Sequence, residues 1–167
     1  MLAAIQGGAI GAGVDLATAC DCRYASTDAF FAVQETAIGM TADVGTFPRL
    51  VKLIPEGWAR QMAYTGEQLP AEKAMQIGLV NEVFETPEAL LKGVMAIARK
   101  IAAHSPLAVT GCKAMANYSR DHSTADTLDY ISVWNAAMLR PDDIKEAYIA
   151  KGEKRAPVFD GLKPVSK

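Results

Sequence analysis

Three carboxylic acids follow one glycine-rich turn, and their types and spacing suit proton transfer. Asp15 ends the glycine-rich run 6–15, Glu35 follows twenty residues later, and Asp43 comes twenty-eight residues after Asp15. Each acid is flanked by apolar or small residues, where a charged carboxylate is costly and its protonated form is favoured. Acids in such surroundings exchange protons readily near neutral pH, so the triplet predicts a general acid–base site.

A strand, a glycine turn and a helix form the opening unit and must position the first acid. Residues 2–6 are apolar and predict a short strand, and apolar positions from Ile10 onward predict a helix that runs to about Cys20. The glycines between them suit a tight turn that lets the strand and the helix pack closely. Backbone N–H groups at the start of such a helix point outward and can hold a developing oxyanion.

The order of the glycines argues against a nucleotide site. Gly8-x-x-Gly11-x-Gly13 is the reverse of the dinucleotide fingerprint, and no phosphate-binding lysine follows it. Two plainer interpretations of the acids stay open. Asp15 can complement the helix dipole, and Asp43 can be an ordinary turn residue.

The remaining pattern predicts short strands first and helices after. Asp43 falls in a loop of small residues at 39–45, Thr86 can cap a strongly amphipathic helix, and Ser123 opens a capping box. The expected strands are 2–6, 21–25, 29–33 and 79–84, and the expected helices are 45–54, 56–65, 71–77, 86–103, 106–118, one that contains 128–138, and 141–152.

Length and charge bound the class of protein. The chain has 167 residues, half of them hydrophobic, which suffices for one domain with a real core. Its net charge is −2 and its basic residues are scattered, so we expect neither a nucleic-acid partner nor a membrane surface. No stretch reaches the roughly twenty apolar residues of a membrane helix. Residues 164–167 differ from the peroxisomal address, so we find no targeting signal and expect a cytoplasmic protein.

No metal site is predicted. The cysteines number three, and the close pair Cys20 and Cys22 is separated by one residue rather than the two to four of zinc sites. Reduced thiols are the simplest interpretation. His104 and His122 lack a second ligand at suitable spacing, so we interpret them as capping or surface residues.

The glycine run and the strand after it resemble the core signature of the crotonase superfamily, the enoyl-CoA hydratases and isomerases. The resemblance covers nearly the whole chain and rests on 4–16, 19–25, 34–39, 66–79 and 153–159. It implies an α/β fold, the crotonase-like ββα spiral with its N-terminal portion missing. In that fold, 1–85 is the C-terminal part of the spiral core with the acids, and 86–167 is a helical trimerisation region.

Within that superfamily the chain is most similar to the Δ3,5-Δ2,4-dienoyl-CoA isomerases. Asp43, where hydratases usually carry glycine, is a mark of that subfamily, and so are Asp15 in place of the hydratase glutamate and the segment 118–123. The resemblance implies that the enzyme moves the double bonds of a 3,5-dienoyl-CoA into 2,4-conjugation in the β-oxidation of unsaturated fatty acids. Glu35 is then the base at C2, Asp43 the acid at C6, and Asp15 a neighbour that tunes the pair.

The implied oxyanion site is made of backbone. The N–H of Ala12 holds the dienolate oxygen, and Gly11 and Gly13 bind substrate beside it. Because the acyl-CoA thioester supplies the electron sink, neither a cofactor nor a metal is expected. The implied partners are the acyl-CoA and further copies of the chain, as a trimer or as a hexamer built from two trimers.

Three alternatives stay open at this point. The chain can be an enoyl-CoA hydratase, a class that resembles it at the first two acids, or a Δ3,Δ2-enoyl-CoA isomerase. The third alternative, of another class, is a truncated and catalytically inactive subunit. The absent upstream segment suggests it, and so does an apolar first strand whose open edge favours association.

Overall fold

The computed structural model describes residues 1–162, so the predicted absence of an address at 164–167 lies outside the described residues. The strands are β1 (Leu2–Ile5), β2 (Gly8–Ile10), β3 (Cys22–Ser26), β4 (Phe30–Ala32), β5 (Leu69–Pro70) and β6 (Glu82–Phe84). The α-helices are α1 (Ala12–Ala19), α2 (Thr46–Leu50), α3 (Glu56–Thr65), α4 (Ala71–Gln76), α5 (Pro87–Ala102), α6 (Pro106–Tyr118), α7 (Thr124–Met138) and α8 (Pro141–Gly152). A 3-10 turn covers Glu35–Ile38.

The chain forms two compact units. The first is Met1–Ala96 and contains both sheets and the three acids, and the second begins at Ile97 and is helical. The division observed in space falls within α5. The domain boundary between residues 85 and 86, which the sequence suggests, stays a prediction.

Two three-stranded sheets make up the framework of the first unit. In one, β3 lies between β1 and β6, and all three strands run parallel. In the other, β4 pairs in parallel with β2 and antiparallel with β5. Within the described chain, β1 and β2 therefore each present one sheet edge without a neighbouring strand.

Helices pack onto these sheets around a core of aliphatic and small side chains. Phe31, Leu50 and Leu79 are completely buried, and each burial of this size stabilises the fold by roughly 1.5–3 kcal/mol. Val14 places the inner face of α1 in the same cluster. The position of α1, and hence of Asp15, is therefore set by apolar packing.

The glycine turn departs from the expectation drawn from the sequence. Gly8–Ile10 forms β2 rather than leading into the helix, because these residues pair with β4, some twenty positions away, which no local pattern reveals. Ile10 and Leu16 are 44% and 66% exposed instead of lining the core. The expected strand 79–84 is shorter and starts at Glu82, and the expected helix 45–54 shrinks to α2.

The helix caps predicted from the sequence are confirmed. Thr86 accepts a hydrogen bond from the Ala89 N–H at its side-chain oxygen, 3.2 Å away. Ser123 and Asp126 form the reciprocal capping box at the start of α7. No residue of α7 is buried, although the helix carries several apolar side chains. Among the described helices, none is long and apolar enough to span a bilayer.

The C-terminal end of α8 is fixed by an ion pair. Arg155 donates from Nη1 and Nη2 to the two carboxylate oxygens of Glu146, at 2.5 and 3.0 Å, and Glu146 also accepts from the Val158 N–H. Lys154, between the end of α8 and Arg155, has φ of 53° and is the only non-glycine residue with positive φ in the described chain. The segment that follows α8 is thus folded back onto the helix.

Candidate active site

The glycine turn between β2 and α1 is held from both sides. Gly11 has φ of 53°, in the left-handed region that favours glycine, and its N–H donates to the Ala32 carbonyl of β4 at 2.9 Å. Its own carbonyl accepts from the Val14 N–H at 2.8 Å, which is the first bond of α1. The start of α1 is therefore fixed relative to β4, the strand that leads to Glu35.

Two backbone donors at the start of α1 have no acceptor in the described protein. They are the N–H groups of Ala12 and Gly13, which precede the first bonded N–H of the helix at Val14. Ala12 is exposed and Gly13 half-buried. The helix dipole adds positive potential at this end. The predicted oxyanion donor is thus available to a ligand.

Asp28 holds the preceding turn. It accepts from the Ser26 hydroxyl at 2.5 Å and from the Gly7 N–H at 3.2 Å. The hydrogen bond from the Ser26 hydroxyl, and to a lesser extent the one from the Gly7 N–H, keeps the pKa of the Asp28 carboxyl below its ordinary value. A charged carboxylate therefore fixes the path of the chain as it enters β2.

Glu35 lies against the glycine turn. It begins the 3-10 turn directly after β4, and its Oε1 would be 3.0 Å from a Cβ placed on Gly11. Its Oε2 is buried and has no hydrogen-bond partner among the described residues. A buried carboxylate oxygen without a partner is costly, and such sites are found where a ligand or a reacting group completes the bonding. The structure thus brings the predicted base onto the turn that carries the predicted oxyanion donor.

Asp15 is buried and already bonded. It is 4% exposed, and its Oδ1 accepts from the Thr46 hydroxyl of α2 at 2.6 Å. The Arg49 Nη2 lies 3.9 Å from the same oxygen and donates to the Asp15 backbone carbonyl at 3.2 Å. Asp15 therefore links α1 to α2, while its role in tuning the other acids stays a prediction.

The expectation that all three acids lie in apolar surroundings is wrong for Asp43. It is exposed in the loop before α2, because the loop turns only Ala42 into the core. Within residues 1–162, Asp43 has no hydrogen bond or ion pair to either of the other acids. The structure thus joins Glu35 to the glycine turn and Asp15 to α2, and it leaves Asp43 on the surface loop.

The sequence interpretation missed Thr46 and Arg49. Both lie on the short helix that follows the Asp43 loop, and both bind Asp15. The only available signal was an arginine inside a largely apolar segment shortly after an acid. Neither residue has a local motif that predicts a bond to a residue some thirty positions earlier.

A metal is not suggested by the arrangement of side chains. In the part of the chain that the structure describes, no three His, Cys, Asp or Glu side chains cluster as metal ligands. The three cysteines are free thiols, with Cys20 buried and Cys112 exposed.

Comparison with known proteins assigns the class. The sequence profile of the enoyl-CoA hydratase/isomerase family matches residues 1–162. The crystal structure of an enoyl-CoA hydratase from Mycobacterium marinum superposes with a TM-score of 0.89 at 36% identity, over 96% of this chain and 66% of that one. The chain therefore belongs to the enoyl-CoA hydratase/isomerase family, and the predicted α/β crotonase fold is confirmed.

Two relatives indicate which members of the family this chain resembles. The mitochondrial Δ3,5-Δ2,4-dienoyl-CoA isomerase of Mus musculus is 44% identical over 156 residues, which is 93% of this chain and 48% of the relative. The peroxisomal enzyme of the same name from Arabidopsis thaliana is 45% identical over 162 residues, 97% of this chain and 58% of the relative. The chain thus spans about half the length of the relatives it matches, and the similarity to the dienoyl-CoA isomerases is confirmed.

The expected cytoplasmic localisation is contradicted by the same relatives. Their names state a mitochondrial or a peroxisomal protein. The cytoplasmic prediction depends on the lack of a recognisable targeting signal in these 167 residues. That lack is weak evidence, because the chain spans only about half the length of its relatives.

Proposed function

We propose that the chain carries the proton-transfer groups of a dienoyl-CoA isomerase that converts a 3,5-dienoyl-CoA to the 2,4-dienoyl-CoA. The observation that carries the proposal is the Glu35 carboxyl, which lies against Gly11 with one buried oxygen unpartnered, beside the free N–H of Ala12. A base and an oxyanion donor at one turn suit removal of a proton next to a thioester carbonyl.

In the first step Glu35 takes a proton from C2. The electrons of the C–H bond delocalise into the diene and the thioester, and the negative charge collects on the carbonyl oxygen. The N–H of Ala12 donates to that oxygen, and the dipole of α1 favours the charge. The position of Glu35 against Gly11, the residue before Ala12, supports this step.

In the second step Asp43 delivers a proton to C6. The bond electrons then shift to give double bonds at C2 and C4, and the thioester carbonyl is restored. Asp43 is left as a carboxylate and Glu35 as an acid, and exchange with water returns both to their starting forms. No described residue binds the Asp43 side chain, so its carboxyl is available both to a substrate and to water for proton exchange.

The bonding of Asp15 favours isomerisation over hydration. Addition of water to a 2-enoyl-CoA needs two acids that share one water molecule. Asp15 is buried, and its Oδ1 is occupied by the Thr46 hydroxyl. Hydratase activity is the second candidate, and the 36% identity to an enoyl-CoA hydratase structure is the observation that favours it.

Two substrates separate these candidates. A 3,5-dienoyl-CoA and a 2-enoyl-CoA are each supplied to the wild-type chain and to Glu35→Gln, with Glu72→Gln, an exposed glutamate of α4, as the matched control. We expect diene conjugation, seen in the ultraviolet spectrum, to fall at least about a hundredfold in Glu35→Gln alone. Water addition without conjugation would favour the hydratase, and binding of acyl-CoA without turnover of either substrate would favour an inactive subunit.

We infer further that copies of the chain associate through α7. Leu128 and Val133 are 59% and 64% exposed, and the helix has no buried residue, as expected for an apolar helix that packs against another subunit. A trimer or a dimer of trimers follows from the family resemblance. Sedimentation of the wild type and of Val133→Lys tests this: we expect an oligomer that the lysine dissociates, and a wild-type monomer at micromolar concentration would contradict it.

A further inference from the structure

Arg49 joins the Asp43 loop to the helix that carries the oxyanion donor. Its Nη2 donates to the Val44 carbonyl at 3.0 Å and to the Asp15 carbonyl at 3.2 Å. Its Nε donates to the Thr18 hydroxyl oxygen at 3.3 Å. One guanidinium therefore binds the residue next to Asp43 and the first two turns of α1.

Gly45 makes room for this guanidinium. A Cβ on Gly45 would lie 2.6 Å from both terminal nitrogens of Arg49, which is closer than real atoms approach. Gly45 also has φ of 114°, a conformation that side chains disfavour. The loop is thus built so that the arginine can pack directly on its backbone.

The two carbonyls that Arg49 binds are placed beside the reacting groups. Val44 directly follows Asp43 in the chain, and Asp15 lies one helical turn after Ala12. The Asp43 side chain itself has no partner in the described chain, so its position depends on how the loop backbone is held. The bond from Thr46 to Asp15 fixes the start of α2 but does not contact the loop carbonyl.

We propose that Arg49 is a positioning residue, which holds the loop so that Asp43 reaches the far end of a substrate whose carbonyl is bound at α1. This inference rests on the proposed isomerase function. Arg49 acts through hydrogen bonds to main-chain carbonyls and does not itself transfer a proton. A guanidinium suits this task because its fixed fork can bind two carbonyls and a hydroxyl together.

The first test concerns loop mobility and needs no activity. Backbone NMR order parameters of residues 40–45 are compared in the wild type, Arg49→Met, Arg49→Lys and Arg60→Met, the last being an exposed arginine of α3. We expect values above about 0.8 in the wild type and Arg60→Met, values below about 0.6 in Arg49→Met, and intermediate values in Arg49→Lys. An equally rigid loop in folded Arg49→Met would overturn the proposal.

The second test separates the two proton transfers. Exchange of the C2 protons of a 3,5-dienoyl-CoA in heavy water reports on Glu35 and the oxyanion donor, whereas conjugation also requires Asp43. In Arg49→Met we expect conjugation to fall at least about tenfold, the effect of losing hydrogen bonds to a charged group. The rate of C2 exchange and the KM should change less than about threefold.

The outcomes of these tests are distinct from those of the proposed function. Equal losses of C2 exchange and conjugation would show a merely structural role and overturn the inference. If Arg49→Met does not fold, Arg49→Lys and Gly45→Ala supply the same comparison, since both disturb the same contact. If the wild type turns over no dienoyl-CoA, the proposed function fails, and the order parameters still decide whether Arg49 holds the loop.

Discussion

Thr46 donates its hydroxyl hydrogen to Asp15 Oδ1 across 2.6 Å, which joins residues thirty-one positions apart in the chain. Both residues are buried, at 0% and 4% exposure. Because Asp15 follows a glycine turn in a chain related to acid–base enzymes, its place in the sequence suggests a catalytic role. The bond shows that this acid already serves the packing of α1 against α2.

We expect Thr46→Val to destabilise the protein by about 1–3 kcal/mol, because it leaves a buried carboxylate oxygen without its hydrogen-bond donor. Urea denaturation monitored by circular dichroism measures the change. Asp15→Asn should cost less, since an amide oxygen still accepts from the hydroxyl. Thr110→Val, at an exposed position of α6, is the control, and an equal loss of stability in both threonine variants would contradict the prediction.

Gly11→Ala tests the contact between the glycine turn and the base. The new methyl group would lie 3.0 Å from Glu35 Oε1, and the residue would keep a φ of 53°. We expect a loss of about 1–2 kcal/mol in stability from the left-handed conformation and a larger relative loss of isomerase turnover. Gly57→Ala in α3, where a Cβ meets nothing within 4 Å, should leave both unchanged or raise stability slightly. Turnover that stays at the wild-type level in Gly11→Ala would remove the support for a site at this turn.

Asp43→Asn should separate the two halves of the reaction. The amide cannot deliver a proton to C6, so we expect conjugation to be lost while exchange at C2 and binding of CoA are nearly retained. Stopped-flow absorbance and mass spectrometry in heavy water measure the two processes. Asp142→Asn, an exposed acid on α8, is the control. Undiminished conjugation in Asp43→Asn would exclude Asp43 as the proton donor.

The C-terminal ion pair gives a prediction for acid stability. The guanidinium of Arg155, followed by the Val158 N–H, lowers the pKa of Glu146 from 4.5 to about 2. Since the pKa in the folded chain lies below that of the unfolded chain, the pair stabilises the fold fully above about pH 4.5, and this stabilisation is lost as the pH falls toward 2. In the wild type, we expect the urea concentration at the midpoint of unfolding to fall as the pH drops across this range. In Glu146→Gln, it should fall less steeply.

The control for that experiment is Glu88→Gln, which removes an exposed carboxylate at the start of α5. Its profile should follow that of the wild type from pH 5 to pH 2. If Glu146→Gln keeps the wild-type slope, the pair with Arg155 contributes nothing to stability in solution.

Local signals explain which elements the sequence predicted. Ser123 and Thr86 cap their helices with their own side chains, so the start of each helix is encoded within four residues. Leu90 and Val94 repeat at helical spacing, and both are buried. Such features depend on neighbours along the chain, and they are predictable without knowledge of the fold.

Distant pairings explain what the sequence did not show. β2 exists because Gly8–Ile10 pairs with β4, and a three-residue strand has no periodicity of its own. Likewise, the short strand β5 depends on pairing with Phe31. The bonds of Asp15 to Thr46 and Arg49 connect α1 to a second helix some thirty residues later. The acids could be selected as candidate site residues from their types and spacing. Their burial and their hydrogen-bond partners could not be predicted in this way.

Lys154 occupies the left-handed conformation at the end of α8, where many helices end in glycine. A lysine there costs roughly 1 kcal/mol relative to a residue without Cβ. The helix therefore ends under a small conformational strain that a single replacement can relieve. Lys154→Gly is a route to a more heat-resistant protein that changes none of the groups assigned to proton transfer.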